Sequence, residues 1–277
     1  MVALHHFGGC PNSGVRADLL AAKLKSLLLP GVTTAGSVVA MTVAMLTPKT
    51  VRPRGWLFDL VMIVLFVALS VALASGHLLR LDQNVADWVD QHRPPALYWP
   101  ARVLNYLGQG GQVLMPVTIA LAVLVASRRR SVRPVLVFVA AFVLTYITIG
   151  PLKLWFARAA PHSTQPTKVE LFNHHLPAGE YAVGYPSGHV ANALVWYGVI
   201  ALLINARWPL APRLKAAIRI VPPLVVFCTT TYLAFHWITD SVAGLLLGLV
   251  LTRLMARVPW DTVPLPRMRG WERAAGL

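Results

Sequence analysis

Between residues 57 and 255 long apolar runs alternate with stretches that gather most of the charge of that region. A helix rises 1.5 Å per residue, so about 20 apolar residues are needed to cross the roughly 30 Å hydrocarbon layer of a bilayer. Six runs have that character: 57–79, 113–126, 134–156, 190–206, 218–235 and 238–255, the start of the second being blurred by Gly110 and Gly111. Within each run the apolar residues are continuous rather than confined to one face, which predicts helices surrounded by lipid or by other apolar helices. In lipid every backbone N–H and C=O must find a partner within the protein, so single runs of this length predict helices. The expected fold class is all-α, a six-transmembrane-helix bundle over residues 51–260, preceded by a segment at 1–50 and followed by a basic tail at 261–277.

The stretches between the runs carry patterns of their own. In 82–112, Val85, Trp88 and Val89 fall at helical spacing with Asp87 and Asp90 on another face, and Tyr98, Trp99 and Tyr106 suit the headgroup level. A short helix lying on the membrane surface and a loop held by aromatic anchors both fit. Residues 32–46 are mildly apolar but rich in Thr, Ser and Gly, which fits an interfacial segment, a weak extra helix or disorder. Met41 and Met45 are alternative starts for the chain, and 1–50 is expected to be dispensable for chemistry. A signal peptide is not expected there, because the basic, apolar, small-residue order is missing.

Composition strengthens the membrane reading. Of 277 residues 56% are hydrophobic and 13% are charged, about half the charged fraction usual in soluble domains. The net charge of +15 is laid out by topology. One set of stretches holds Arg16, Lys23, Lys25, Lys49, Arg52 and Arg54; then Arg128, Arg129, Arg130 and Arg133; then Arg207, Arg213, Lys215 and Arg219; then Arg253, Arg257, Arg267, Arg269 and Arg273. The alternate stretches hold only Arg80, Arg93, Arg102, Lys153, Arg158 and Lys168, matched by Asp82, Asp87, Asp90, Glu170, Glu180 and Asp240. Basic residues gather on the cytoplasmic side. Both termini are therefore expected in the cytoplasm, in a multi-pass protein of the plasma membrane, with the basic tail against anionic headgroups. The charge needs no nucleic-acid partner. Asp59, at the cytoplasmic end of the first run, is expected as an interfacial charge. Cys10 and Cys228 lie far apart and suggest neither a disulfide framework nor a metal site, and the adjacent pairs His5-His6 and His174-His175 cannot share a helix face. No metal and no cofactor are expected. The oligomeric state is not legible.

Three places on the neutral, extracytoplasmic side hold polar groups that a bilayer protein does not keep cheaply. They are Lys153 with Arg158, Pro161 and His162; Pro186-Ser187-Gly188-His189 opening the fourth run; and His236 with Asp240 four residues later. A helix N-terminus offers free N–H groups and a positive dipole end to an anion, and Gly188 lets it approach closely. Lys153 and Arg158 add full charge. His236 and Asp240 can face each other if the turn between them is helical, the carboxylate fixing the tautomer and freeing the other imidazole nitrogen to attack. His189 is then the natural proton donor. Each segment also has a bland reading: a Ser-Gly pair is an ordinary helix cap, and a terminal lysine can snorkel to the interface.

Taken in order, these segments resemble the type 2 phosphatidic acid phosphatase superfamily, which includes lipid phosphate phosphatases and polyprenyl diphosphate phosphatases. Its signature reads KxxxxxxRP, then PSGH, then SRxxxxxHxxxD. Here Lys153 stands seven residues before Ala160-Pro161, Pro186-Ser187-Gly188-His189 is complete, and Thr229-Thr230 precedes His236 and Asp240 at the family spacing. The resemblance implies a mechanism. His236 attacks phosphorus to form a phosphohistidine, Asp240 orients it, and His189 protonates the leaving lipid oxygen. Lys153, Ser187 and Gly188 hold the phosphoryl oxygens, without a metal. The chain departs from the family in lacking both signature arginines, replaced by Ala160 and Thr230, with Arg158 expected to supply the missing charge.

The expected activity is hydrolysis of a lipid mono- or diphosphate at the extracytoplasmic face. Two readings stand beside it: transfer of the phosphoryl group to an alcohol or sugar bound by the 157–185 loop through Asn173, His174 and His175, and phosphate-lipid binding without catalysis. Transport is disfavoured, because the polar groups gather at one face and not at the midplane.

Overall fold

The computed structural model describes residues 55–173 and 181–264. The expectations for residues 1–50, for His174 and His175 and for the end of the tail lie outside the described residues. Eight helices of two turns or more are described, in the order α1 Leu57–Ala74, α2 Leu79–His92, α3 Pro95–Asn105, α4 Met115–Arg129, α5 Arg133–Phe156, α6 Gly188–Arg207, α7 Pro212–Tyr232 and α8 Ile238–Arg257. Six are long and apolar enough to cross a membrane, α4 together with a π-helical turn at Gly110–Leu114 that precedes it. The protein is thus all-α and multi-pass, as the apolar runs predict.

Boundaries shift where local chemistry was hidden in the sequence. The second span gains a turn because Gly110 and Gly111, read as a blurred edge, are part of the helix. The fifth begins six residues early, with Pro212 in its first turn where a missing N–H costs nothing, and it carries Pro222 and Pro223 in its interior. The stretch after α1 is two surface helices, α2 and α3, and not one helix or a loop.

The helices sort by what surrounds them. Half of α6 and half of α8 is buried inside the protein, against 17% of α1 and 22% of α5. Leu60, Val64, Leu65 and Val71 on α1 are exposed, which is the arrangement of a helix with lipid on most of its circumference. The core gathers around Trp196 of α6, with Val137 and Ala141 from α5, Ala122 from α4, and Leu251 and Met255 from α8. Lipid tails are as apolar as these side chains, so close packing and not water exclusion must hold such helices together. Gly244 and Gly248 of α8, four residues apart, make that possible. A Cβ at Gly248 would lie 2.7 Å from Leu194 Cδ1 and 3.0 Å from Ala191 Cα.

At the opposite end of α8, Arg253 Nε donates to Asp59 Oδ1 at 2.7 Å, and Arg257 also bonds this carboxylate. Asp59 is only 2% exposed. The charge expected at the interface is therefore a buried ion-pair partner tying α1 to α8.

Candidate active site

The site sits at the end of the bundle where α5 stops and α6 and α8 begin. α5 ends because Ala157 turns left-handed at φ 41°, its N–H bonding to the Lys153 carbonyl. Lys153 is thereby left in the last turn, and its Nζ donates to the Val183 carbonyl. α6 opens at Ser187, whose hydroxyl accepts from Val190 N at 3.4 Å. α7 ends in a tight turn: the Thr230 carbonyl accepts from the N–H groups of Phe235 and His236, and Ala234 is left-handed at φ 56°. That turn places His236 just before α8, not within it.

A cavity of about 720 Å³ opens here, lined among others by Lys153, Ala160, His162, Gly188, His189, Asn192 and His236. His189 Nδ1 lies 3.3 Å from His236 Nε2. On the far side of the ring, His236 Nδ1 is 3.7 Å from Asp240 Oδ2, longer than an ordinary hydrogen bond. Asp240 Oδ2 accepts instead from Trp237 N at 3.0 Å, and the Asp240 carbonyl accepts from Ser187 N at 2.9 Å. The backbone of the second motif thus rests on the third. His236 is 6% exposed, and that burial holds its imidazolium form below the ordinary imidazole range. The ring is accordingly uncharged at neutral pH.

Two expected phosphate ligands are placed elsewhere. Arg158 is fully buried and does not line the cavity. Its Nε donates to the Val169 carbonyl, one terminal nitrogen to Thr239 Oγ1 and Asp240 Oδ1, and the other to Asp82 Oδ2, all within 2.6–2.8 Å. The physical reason is electrostatic: two buried carboxylates in low dielectric hold the guanidinium more strongly than an open cavity can. Ser187 is also buried, its hydroxyl engaged as a helix cap. At the positions of the signature arginines, Ala160 lines the cavity, whereas Thr230 is buried and bonds the Val226 carbonyl of its own helix. Thr229 bonds Asn105 Oδ1 at 3.2 Å and also faces away from the cavity.

The sequence reading missed Asn192, one helical turn after Gly188 and therefore on the same face. It also missed the close approach of the Gly110 backbone, where a Cβ would lie 2.9 Å from Asn192 Nδ2. A second cavity of about 1140 Å³, lined by Arg93, Arg102 and Lys168, shares His162 and Phe235 with the first.

Two imidazoles, a lysine and a helix N-terminus face one cavity at an end of the bundle, an arrangement suited to an anionic group. Residues 134–264 match the family model described as the PAP2 superfamily, a span that takes in all three motif segments. Among solved structures, the chain is similar to the crystal structure of the first transmembrane PAP2 type phosphatidylglycerolphosphate phosphatase from Bacillus subtilis. The TM-score is 0.59 at 22% identity, over 71% of this chain and 93% of that one. At that identity the likeness is one of fold. Comparison with the curated proteins gives no match.

Proposed function

We propose that the protein is an integral membrane phosphatase that hydrolyses a lipid mono- or diphosphate through a phosphohistidine. The observation that carries this is the facing of His236 Nε2 and His189 Nδ1 across 3.3 Å in the cavity that Lys153 and Gly188 also line. His236 Nε2 attacks phosphorus, forming a P–N bond as the P–O bond to the lipid breaks. His189 gives its proton to the departing oxygen. Water then attacks the phosphohistidine, His189 takes the water proton, and inorganic phosphate leaves. Asp240 steadies the imidazolium of the intermediate by closing its 3.7 Å gap once the ring is charged. Lys153, the N–H of Gly188 and the positive end of α6 hold the phosphoryl oxygens, so charge stabilisation comes from protein donors. The proposal drops Arg158 and the Ser187 hydroxyl as phosphate ligands.

The site faces the extracytoplasmic side of the plasma membrane, with both ends of the chain in the cytoplasm. This rests on the near-neutral stretches at the site's end and the basic ones at the other. The lipid tails stay in the bilayer while the headgroup reaches the cavity.

The test is phosphate release by the full chain in detergent, with EDTA, from phosphatidate, phosphatidylglycerol phosphate and undecaprenyl diphosphate, beside His236→Ala. Release that needs His236 and survives EDTA is the expected result. Release by His236→Ala at the wild-type rate overturns the mechanism. Phosphate appearing only on an added alcohol points to transfer instead.

A further inference from the structure

Among the described residues, a heavily engaged acid lies outside the span matched by the family model. Asp82 is the one buried residue of α2, a helix otherwise exposed or half-exposed along its length. An amphipathic helix ordinarily docks through apolar side chains, and an acid in that place needs a partner that compensates its lost hydration. Asp82 has three. Its Oδ1 accepts from Thr239 N at 3.1 Å, and its Oδ2 accepts from Thr239 Oγ1 and from Arg158, each at 2.6 Å. Thr239 is the second residue of α8, so its N–H is one that the helix itself leaves unpaired. Asp82 therefore caps α8 from another helix, with its charge at the positive end of the α8 dipole.

The next residue of α8 is Asp240, and the same guanidinium grips it: Arg158 bridges Asp82 Oδ2 and Asp240 Oδ1. All three side chains are fully buried. The line from α2 toward the candidate nucleophile runs from Asp82 through Arg158 and Thr239 to Asp240, whose carbonyl holds the Ser187 backbone and whose carboxylate stands 3.7 Å from His236.

Resting on the phosphohistidine reading above, we propose that Asp82 is a positioning residue for the reaction: by capping α8 and anchoring Arg158, it fixes the Asp240 carboxylate where the His236 imidazole needs it. A simple stability role predicts less folded protein with unaltered kinetics in what remains. Positioning predicts a defect in turnover that survives correction for the folded fraction. Asp82 touches neither substrate nor cavity, so substrate binding should stay nearly unchanged.

The experiment measures kcat and KM per folded protein for the full chain in detergent, on whichever phosphate lipid the wild type cleaves. The variants are Asp82→Asn, Asp82→Glu and Thr239→Val, with Asp87→Asn, an exposed acid of the same helix, as control. Asp82→Asn is expected to lower kcat by about ten- to a hundred-fold, as a misplacement on the ångström scale does, with KM within about threefold. Asp82→Glu should recover part of the loss. Thr239→Val removes the bridging hydroxyl without leaving a buried charge unpaired, and decides the matter if Asp82→Asn does not fold; a smaller fall in kcat is expected. Wild-type kcat per folded molecule in Asp82→Asn, or in Thr239→Val where that variant decides, overturns the inference, as does an equal fall in Asp87→Asn. If the wild type does not depend on His236, the phosphatase reading itself fails. If it does and Asp82→Asn turns over normally, only this inference fails.

Discussion

Replacing Gly244 with alanine tests how α8 holds the motif opening α6. An added Cβ would stand 2.5 Å from the Ser187 carbonyl oxygen and 3.1 Å from Ser187 Cβ. The obstacle is backbone, and that backbone is pinned, since Ser187 N donates to the Asp240 carbonyl and the Ser187 hydroxyl accepts from Val190 N. Ordinary contact at 3.4 Å requires the two helices to part by roughly 0.9 Å. Overpacking of this kind costs about 1–3 kcal/mol. The displaced segment carries His189, whose Nδ1 must stay near its 3.3 Å distance from His236 Nε2, and a shift of about 1 Å in reacting groups can cost on the order of a hundredfold in rate. Gly150→Ala is the matched control: it lies inside α5 with nothing within 4 Å of an added Cβ. It should leave the rate unchanged and be neutral or up to about 1 kcal/mol stabilising. Unfolding in mixed micelles gives the first quantity, and phosphate release per folded protein gives the second. Wild-type stability and wild-type rate in Gly244→Ala would refute the close approach of α8 to Ser187.

Three further outcomes follow from the same geometry. Arg158→Met leaves Asp82 and Asp240 buried without their shared cation and should destabilise the protein by about 3–5 kcal/mol in a micelle unfolding titration, whereas a phosphate ligand would raise KM at unchanged stability. Ala160→Arg returns a guanidinium to the cavity wall and should tighten inhibition by a phosphate analogue such as vanadate by roughly tenfold or more, a charge-assisted hydrogen bond being worth about 1.5–3 kcal/mol; unaltered inhibition would mean that Ala160 does not face the bound anion. Burial depresses the folded-state ionisation of His236, so the acid limb of the rate profile should fall below the ordinary imidazole value of about 6.5. In stability the unfolded chain binds that proton more readily. The His236 contribution is therefore full above about pH 6.5 and is lost as the pH falls toward the lowered folded value, a slope that His236→Asn should flatten.

The sequence by itself determined the apolar surroundings of the helices and the all-α class. Continuous apolar runs too long for a soluble core require helices in lipid, because only a helix satisfies its own backbone there. The order of the charged stretches sets which ends share a face, and the His236, His189 and Lys153 segments converge at one end of the bundle as that order requires. Gly188 was read directly, and Asn192, which was missed, follows from it, since four residues on a helix return to the same side. What the tertiary structure decided is where the charges go. Arg158 reads as a free cation two residues from a family position, yet it is drawn into a pair of buried carboxylates. One of these, Asp82, comes from a surface helix 76 positions away, which no local pattern could link to it. Asp59 likewise pairs with Arg253 and Arg257 of a helix nearly two hundred positions away. Apolar periodicity is a local property and survives in one dimension. Pairing of buried charges depends on which distant helices touch, and only the packed bundle settles that.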